Sequence, residues 1–381
     1  MRDDVILEDT TLRDGEQTPG VAFDKETKAR ILDQLLRAGV RWAEIGIPAM
    51  GGEECEFLKE AVHRQDEARL VVWNRGVRSD VVMSLDLGYQ AIHIGLPASD
   101  VHLDKSVGKD RDWLLRATAE VVALAKERAA FVTISAEDVA CLERDFLLEY
   151  ADAVSAAGAD RLRLSDTIGI LRPDQYAERV AAVTANCDID VQCHAHNDFG
   201  LGFANTLAGL EAGARYFHVS VNGIGERAGM TDLAQAALTL QRLYGVELGI
   251  DTTQLTRLSE LVAAACRYPV APWQPVVGGN VFAHESGIHV NAMLRDTSTF
   301  EPFPPDLVGG ERRYVLGKHS GRALIETVLR DNGRSLRDED LSACLEWLRQ
   351  AAVDRGGAVA PAELLAAFDT LDREPGPYPP R

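Results

Sequence analysis

The stretch Val191-Gln-Cys-His-Ala-His-Asn-Asp198 joins an apolar, β-rich run to a group of polar side chains. Side chains at positions i and i+2 of a strand point to the same side of a sheet. His194 and His196 therefore present two imidazoles on one face, whereas Cys193 lies on the other. Two imidazoles and a carboxylate suit a divalent metal that acts as a Lewis acid. A His-x-His pattern alone is, however, more often structural or incidental.

A second stretch, Asp9-Thr-Thr-Leu-Arg-Asp-Gly-Glu-Gln17, also follows an apolar, strand-like run and is rich in carboxylates. A carboxylate from this stretch would complete the coordination of a metal by His194 and His196. We therefore interpret the two stretches as halves of one metal site, with coordination positions left open for a substrate.

Strand-like and helix-like segments alternate through most of the chain. The strand-like runs are Val5–Leu12, Arg41–Ile47, Arg69–Trp73, Ala91–Leu96, Phe131–Ser135, Arg161–Leu164, Val191–His194 and Tyr216–Val221. Amphipathic helix-like segments include Asp24–Ala38, Arg111–Arg128 and Asp145–Ala157, and glycines in the usual helix-ending position are Gly39, Gly88, Gly158 and Gly213. Eight β–α units of this length predict a (β/α)₈ TIM barrel rather than an open sheet.

Catalytic residues of such a barrel lie at the C-terminal ends of its strands. Polar side chains stand at these ends in the sequence: Arg13 and Asp14, Glu44, Glu137 and Asp138, Ser165 to Thr167, His194 and His196, and Asn222. A random scatter of polar residues would not favour one end of each strand, so the pattern predicts an active site at that end of the barrel.

The organisation of the chain changes after the last predicted β–α unit. We predict a catalytic barrel over residues 1–268, a linker subdomain over 269–320 that contains His284-Glu-Ser-Gly-Ile-His289, and a helical subdomain over 321–381. Pro361 is expected to begin the last helix, because proline is favoured at the first helical position. The tail from Glu374 to Arg381 contains three prolines and is expected to fray.

Composition excludes several classes of function. The 381 residues carry a formal net charge of −19, which argues against nucleic acid or an anionic membrane as a partner. We find no apolar run long enough to span a bilayer and no signal sequence. Six scattered cysteines without metal-binding spacing are typical of reduced thiols, so we expect a cytoplasmic protein.

The motifs of the chain resemble those of the acyl-CoA-condensing branch of the DRE-TIM metallolyases, which includes homocitrate and 2-isopropylmalate synthases. The resemblance is carried by Asp9–Gln17, Asp166-Thr-Ile-Gly169, His194–Asp198, Asn222-Gly-Ile-Gly-Glu-Arg-Ala-Gly229, His284–His289 and Leu316-Gly-Lys-His-Ser-Gly321. Gly46-Ile-Pro-Ala-Met-Gly51 is most similar to homocitrate synthases of the nitrogen-fixation type.

The resemblance implies a metal-dependent Claisen condensation of acetyl-CoA with a 2-oxo acid, followed by thioester hydrolysis. It assigns Asp14, His194 and His196 as ligands of a divalent metal, for which Mg, Mn and Zn all remain open. Arg13 would stabilise the negative charge that develops on the ketone oxygen of the acceptor.

The resemblance also implies a base that removes a methyl proton from acetyl-CoA. This role falls to His289, delivered from the partner subunit of a homodimer with exchanged C-terminal segments, and helped by Glu137. Thr167 would contact the carboxylate of the acceptor, and we expect Gln17 and Ser135 to be further substrate contacts.

Three residues depart from the family pattern. Met230 replaces an asparagine of many relatives, Phe300 replaces a tyrosine, and Thr133 stands where lysine-pathway homocitrate synthases carry an arginine. Other cationic groups that could bind a second acidic end of the acceptor are Arg75, Arg78, His93 and Arg163, although each is equally plausible as a surface or ion-pair residue.

We therefore predict 2-oxoglutarate as the acceptor, giving homocitrate. Phosphonopyruvate (giving 2-phosphonomethylmalate), oxaloacetate and the 2-isopropylmalate reaction remain open. A metal-dependent aldolase or lyase is the competing class, and release of CoA from acetyl-CoA with a 2-oxo acid would distinguish the two classes.

Overall fold

The structure is a computed structural model that describes residues 1–371 of the chain. It divides into two compact units, Met1–Val270 and a second unit that begins at Ala271. The further predicted division of the second part into residues 269–320 and 321–381 stays a prediction, and the expected fraying of residues 374–381 lies outside the described residues.

The first unit confirms the predicted TIM barrel. Eight parallel strands close in sequential order, with the last strand paired to the first. The strands are β1 (Ile6–Asp9), β2 (Trp42–Gly46), β3 (Arg69–Arg75), β4 (Ala91–Gly95), β5 (Phe131–Glu137), β6 (Arg161–Asp166), β7 (Asp190–Ala195) and β8 (Tyr216–Val219). Each strand lies within or overlaps one of the predicted runs, because apolar β-rich segments were bounded by clear helix and turn signals.

Helices surround this barrel. They are α1 (Lys25–Arg37), α2 (Gly52–Ala61), α3 (Arg78–Asp86), the short α4 (Asp100–His102), α5 (Arg111–Lys126), α6 (Arg144–Ala156), α7 (Pro173–Asn186), α8 (Gly202–Glu211), α9 (Leu233–Leu243) and α10 (Leu255–Cys266). In α1 the Asp24 side chain caps the helix by accepting a hydrogen bond from the Thr27 amide. The helix ends before Gly39, whose φ of 91° and close approach to the Gly249 carbonyl both require glycine.

Charged side chains occupy part of the barrel interior. Glu8, Glu44, Arg161 and Arg163 are all almost completely buried. Arg161 donates to Glu8 at 2.7 Å, and Arg163 donates to Glu44 at 2.7 Å. A buried charge is tolerated only when it is paired and hydrogen-bonded, so these residues form one mutually dependent network.

Arg161 also fills the end of the barrel at which the strands begin. Its guanidinium carbon lies 4.6 Å from the ring centroid of Tyr216, 5.3 Å from that of Phe131 and 5.6 Å from that of Trp42. A cation over aromatic faces is attracted by their quadrupoles. This end of the barrel is therefore packed with side chains.

The second unit has its own core. It contains two short parallel strands, β9 (Ala283–His284) and β10 (Arg313–Tyr314), and helices α11 (Gly287–Met293), α12 (Arg322–Asp331), α13 (Asp338–Arg355) and α14 (Pro361–Leu371). As predicted, Pro361 begins the last helix. The buried core residues are Val290, Leu316, Leu324, Ile325, Leu329, Cys344, Leu348, Ala352, Val359, Leu364 and Phe368.

Two glycine-containing motifs of the second unit meet at their glycines. A Cβ atom on Gly287 would lie 2.8 Å from the Cα atom of Gly321, and the Gly287 amide donates to the His319 carbonyl at 2.8 Å. This contact explains in physical terms why the His284–His289 and Leu316–Gly321 stretches each contain a glycine at this point.

Within residues 1–371, we find no helix with both the length and the apolar character that a membrane crossing requires.

Candidate active site

A cavity of about 220 Å³ lies at the C-terminal ends of the barrel strands. Most of its lining side chains come from the ends of the strands and from the loops that follow them. They are Arg13, Asp14, Gln17, Trp73, Ser135, Glu137, Arg163, Ser165, Thr167, His194, His196, Glu226 and Arg227. This is the end of the barrel at which the sequence predicts the active site.

The predicted metal ligands converge on one side of this cavity. The Nε2 atom of His194 lies 3.1 Å from Oδ2 of Asp14 and 3.2 Å from Nε2 of His196. All three ligand atoms lie within 4.8 Å of one another, and all three side chains are buried. One carboxylate and two imidazole nitrogens in this arrangement fit a divalent cation with open coordination positions.

The two halves of this group are held by different local structures. Strand β7 places His194, and His196 follows the strand directly and forms an isolated bridge with Met230. Asp14 lies in a tight turn after β1, in which the Gly15 amide donates to the Thr10 carbonyl at 3.0 Å. Since β1 is separated from β7 only by β8, closure of the barrel brings the halves together.

The charge states of these predicted ligands also suit a cation. Burial alone would raise the pKa of Asp14, but Arg13 and His194 lower it well below its usual value. Burial lowers the pKa of His194 to about 4. At neutral pH the group therefore offers a carboxylate and neutral imidazole, the forms in which these side chains bind metals.

Arg13 borders the cavity next to this group. Its Nε atom donates to Oε2 of Glu44 at 2.5 Å, and its Nη1 atom lies 3.5 Å from Oδ2 of Asp14 and 3.4 Å from Oε1 of Gln17. Glu44 is anionic in this setting, because Arg13 and Arg163 outweigh the effect of burial and lower its pKa to about 2. The ion pair fixes the guanidinium at the cavity wall, where its remaining N–H groups can bind an anionic substrate.

Glu137 ends strand β5 on the same cavity. Burial raises the pKa of its carboxyl group, although Arg13 acts in the opposite direction. The Ser135 hydroxyl lies 3.4 Å from Oε1 of Glu137. The hydroxyl of Thr167 accepts a hydrogen bond from the Asp138 amide at 2.8 Å. A carboxyl group with a raised pKa can exchange protons near neutral pH more readily than an ordinary glutamate.

The sequence also matches known protein families. Residues 4–262 match the HMGL-like family, and residues 276–356 match the family described as homocitrate synthase post-HMGL domain-like.

The chain belongs to the HMGL-like family.

Three relatives align over nearly the whole chain. It is 64% identical over 369 residues to a 2-phosphonomethylmalate synthase of Streptomyces rubellomurinus, covering 97% of this chain and 99% of that protein. It is 42% identical to the 2-isopropylmalate synthase 2 of Caldanaerobacter subterraneus, covering 96% of each chain. It is 40% identical to the homocitrate synthase 1 of a Nostoc species, covering 95% of this chain and 96% of that one.

Solved structures with this fold include the HMG-CoA lyase of Bacillus subtilis, with a TM-score of 0.64, 19% identity, and coverage of 71% of this chain and 96% of that one. This likeness shows the fold alone. The family match and the three synthase relatives identify the chain as a member of the acetyl-CoA-dependent condensing branch of the DRE-TIM superfamily. The protein is an acyltransferase of the type that converts an acyl group into an alkyl group on transfer. Members of the family depend on a divalent metal.

Not every substrate-binding residue predicted from the sequence lies at the cavity described above. Of the four cationic candidates for the acceptor, Arg163 is in the lining, whereas Arg75 is bound to Asp80 at 2.7 and 3.0 Å with 64% of its side chain exposed. Arg78 is an exposed residue at the start of α3. His93 is fully buried in β4, and both of its ring nitrogens lack a hydrogen-bond partner among residues 1–371.

Three lining residues are neither candidate site residues nor polar residues at the predicted strand ends: Trp73, Glu226 and Arg227. Arg227 has a positive φ of 56° and joins two loops, because it pairs with Asp198 at 2.8 Å and donates to the Thr167 carbonyl at 2.7 Å. Glu226 and Arg227 belong to the Asn222–Gly229 motif, which carried a family signal. Trp73 lies in a strand and gave no sequence signal of its own.

His289 lies in the second unit, on the first turns of α11. It is exposed, and its ring centroid lies 4.1 Å from that of Phe300 with the two planes inclined by 33°. Phe300, which replaces a tyrosine of the relatives, is therefore in direct contact with His289, the predicted base. The role of His289 and its delivery from a partner subunit stay predictions.

Proposed function

We propose that this protein condenses acetyl-CoA with phosphonopyruvate and hydrolyses the thioester, giving 2-phosphonomethylmalate and CoA. The observation that carries this proposal is the 64% identity to a 2-phosphonomethylmalate synthase over nearly the full length of both chains. This acceptor is the phosphonate alternative of the sequence analysis, and it takes precedence over the predicted 2-oxoglutarate.

The cavity supports a small anionic acceptor. Three hydroxyl groups, from Ser135, Ser165 and Thr167, line about 220 Å³ together with Arg13 and Arg163. Hydroxyl and guanidinium groups are the donors that bind carboxylate and phosphonate oxygens. The branched apolar end of 2-oxoisovalerate would leave several of these donors without partners, which is costly for the buried ones, Arg13, Ser135, Arg163 and Ser165.

In this proposal Asp14, His194 and His196 hold a divalent cation, Mg, Mn or Zn, and Arg13 binds the acceptor beside it. When bound, the cation supplies Lewis-acid polarisation of the acceptor ketone. Arg13 faces the negative charge that develops on the ketone oxygen as the new carbon–carbon bond forms. Its ion pair with Glu44 keeps it in place before substrate arrives.

The nucleophile is the methyl carbon of acetyl-CoA after loss of one proton. We propose His289 as the group that accepts this proton, with Glu137 as an assisting carboxylate. Support for Glu137 comes from its place at the cavity and from the raised pKa that burial gives it. Support for His289 comes from the resemblance of its motif, and we propose a homodimer with exchanged C-terminal segments that delivers it.

A second acceptor, 2-oxoglutarate, is favoured by the 40% identity to the Nostoc homocitrate synthase 1. The same cavity donors would serve its second carboxylate. The two acceptors differ in the charge and shape of the distal group, since a phosphonate is tetrahedral and carries up to two charges.

The test compares specificity constants for phosphonopyruvate, oxaloacetate, 2-oxoglutarate and 2-oxoisovalerate with acetyl-CoA, followed by thiol release and by phosphorus NMR of the product. We expect phosphonopyruvate to exceed the others by at least about tenfold, a difference of roughly 1.4 kcal/mol in transition-state binding. A preference for 2-oxoglutarate would return the homocitrate reaction to first place. A preference for 2-oxoisovalerate would contradict the anionic acceptor altogether.

We also propose that the protein works in the cytoplasm. All six cysteines are free thiols, and three of them, Cys193, Cys266 and Cys344, are buried. Reduced, unpaired thiols are typical of that compartment. Fractionation of the native host, with the thiol content measured in the isolated protein, tests this assignment.

A further inference from the structure

His218 lies directly behind the predicted metal ligands. It is fully buried in strand β8, beside β7, and its Nδ1 atom is 2.9 Å from Nδ1 of His194. The two ring planes meet at 74° with the centroids 5.1 Å apart. His218 does not line the cavity described above. It contacts two residues that do line the cavity, His194 and Arg163.

The geometry of His194 decides which nitrogen carries its proton when a metal is bound. Its Nε2 atom faces Asp14 and His196, so the lone pair on Nε2 is the one available to a cation. A neutral imidazole has one N–H group, which must then be on Nδ1. The Nδ1 atom of His218 consequently has to accept this hydrogen bond.

His218 can accept on Nδ1 only if its own proton is on Nε2. Two groups near that Nε2 atom make opposite demands: Oε1 of Glu8 at 3.0 Å can only accept, whereas Nη2 of Arg163 at 3.2 Å can only donate. If Arg163 prevailed, His218 would donate to His194 from Nδ1, and the His194 proton would move to the nitrogen that faces Asp14. That state could not bind a metal.

The contacts of the two competing groups favour Glu8. Arg163 is already committed, since it donates to Glu44 at 2.7 Å and to Gln192 at 2.8 Å. Glu8 is oriented by Arg161, which donates to its other oxygen at 2.7 Å. The contact of His218 Nε2 with Oε1 of Glu8 is the shorter of the two, and Arg163 approaches that oxygen only to 3.7 Å. Both distances select the N–H on Nε2 of His218.

We propose that His218 is a positioning residue that, under the control of Glu8, holds His194 in its metal-binding tautomer. This inference rests on the proposed metal site. The second ligand, His196, is served differently, because its Nδ1 atom faces the Gly229 carbonyl at 3.2 Å, and a carbonyl can only accept. The partner of His194 is the imidazole of His218, which can either accept or donate. A further group, the Glu8 carboxylate, is therefore needed to set the direction of the hydrogen bond between His194 and His218.

The test measures the affinity of metal-free protein for Co²⁺, by calorimetry and by the visible absorption of the bound ion. His218→Phe keeps a ring but removes the acceptor, and we expect the dissociation constant to rise about 10- to 100-fold, the range found for groups that orient metal-binding histidines. His218→Asn offers an amide oxygen close to the position of Nδ1, and we expect it to remain within about threefold of the parent.

His93→Phe is the matched control for this measurement. The substitution is the same, and His93 is also a fully buried histidine of the barrel. Unlike those of His218, the ring nitrogens of His93 have no hydrogen-bond partner among the described residues. Its dissociation constant for Co²⁺ should equal that of the parent. Circular dichroism of each metal-free variant reports whether the barrel has folded.

A double-mutant cycle with Glu8→Gln isolates the tautomer effect. The amide nitrogen that this substitution introduces could donate to Nε2 of His218, so we expect weaker Co²⁺ binding in the parent background and no further loss in the His218→Asn background. This cycle does not use His218→Phe, so it tests the role of His218 even if that variant does not fold. Equal losses in both backgrounds, or unchanged Co²⁺ affinity in folded His218→Phe, would overturn the inference.

Failure of the proposed metal site looks different in the same experiment. In that case the parent protein itself would not bind Co²⁺ with higher affinity than His194→Ala. If the parent binds the ion, His194→Ala does not, and the His218 variants bind like the parent, then only the role of His218 is refuted.

Discussion

Two histidine motifs, one in each unit, contribute to the proposed chemistry in different ways. His194 and His196 are buried at the end of a barrel strand, and hydrogen-bonding groups face both nitrogens of each ring. His284 ends a two-residue strand of the second unit, and His289 lies on the following helix, exposed and in contact with the Phe300 ring. Regular strand geometry thus fixes the positions of His194 and His196. The position of the exposed His289 depends instead on contacts made outside its own helix, such as the one with Phe300.

The largest effect should come from the barrel motif. We expect His194→Ala to abolish Co²⁺ binding and to lower kcat/KM by about three orders of magnitude, because the loss of one ligand removes the electrophilic centre. Calorimetry and thiol release measure the two quantities. His63→Ala, at an exposed histidine of the same unit, is the control and should leave both unchanged. Full activity of metal-free protein would refute the assignment.

His289→Ala should separate proton transfer from metal binding. We expect kcat to fall about 10²- to 10⁴-fold, the usual contribution of a general base, with Co²⁺ affinity unchanged. If the base is delivered in trans, subunit exchange with Asp14→Ala should restore part of the activity, because one site of each heterodimer contains both intact residues. No recovery after exchange verified by mass spectrometry would mean that each chain completes its own site.

Glu137→Gln should have a smaller effect and a characteristic pH dependence. Burial raises the pKa of Glu137 above its ordinary value, so its carboxylate form is lost as the pH falls through that raised value. We expect Glu137 to contribute to the acid limb of the parent kcat profile at a higher pH than an ordinary glutamate would, and the shape of this limb to change in the variant. The variant should also be about 10- to 100-fold slower at neutral pH. An identical acid limb in both proteins would exclude Glu137 as the titrating group.

Phe300→Leu tests whether the ring contact orients His289. Aromatic pairs contribute about 0.5–1.5 kcal/mol beyond burial, so we expect kcat to fall about 2- to 10-fold. Phe300→Tyr keeps the ring and is the matched control, with kcat expected close to that of the parent. If both substitutions slow the reaction equally, the aromatic contact is not the relevant property.

The smallest effect is expected for Arg75→Ala. Since Arg75 is exposed and paired with Asp80, the specificity constant for each acceptor should change less than about twofold. Arg163→Lys, which alters a residue of the cavity lining, provides the contrast and should weaken acceptor binding. A large loss in Arg75→Ala would support the substrate role predicted from the sequence.

The barrel was predictable because its signals are local. Each strand is an apolar β-rich run, and Gly39, Gly88, Gly158 and Gly213 all adopt the positive φ that ends a helix. The pairing of His194 with His196 follows from the two-residue repeat of a strand. The family motifs added the expectation that Asp14 would join them.

Other contacts are not local and could not be read from the chain. Arg75, His93 and Arg163 are all cationic candidates near strand positions, yet one is paired on the surface, one is fully buried without a partner among the described residues and one lines the cavity. The difference depends on which neighbour each side chain meets, such as Asp80 for Arg75 and Glu44 for Arg163.

The sequence by itself determined the fold class, the family and the residue types of the proposed metal site, because strand period, helix termination and motif order are properties of short segments. Only the tertiary structure decided that Asp14 meets His194 across the barrel closure, that His218 contacts His194, and that Glu8 contacts His218. Those contacts join strands far apart in the chain. Their distances are set by closing a sheet of eight strands and by the need to pair every buried charge.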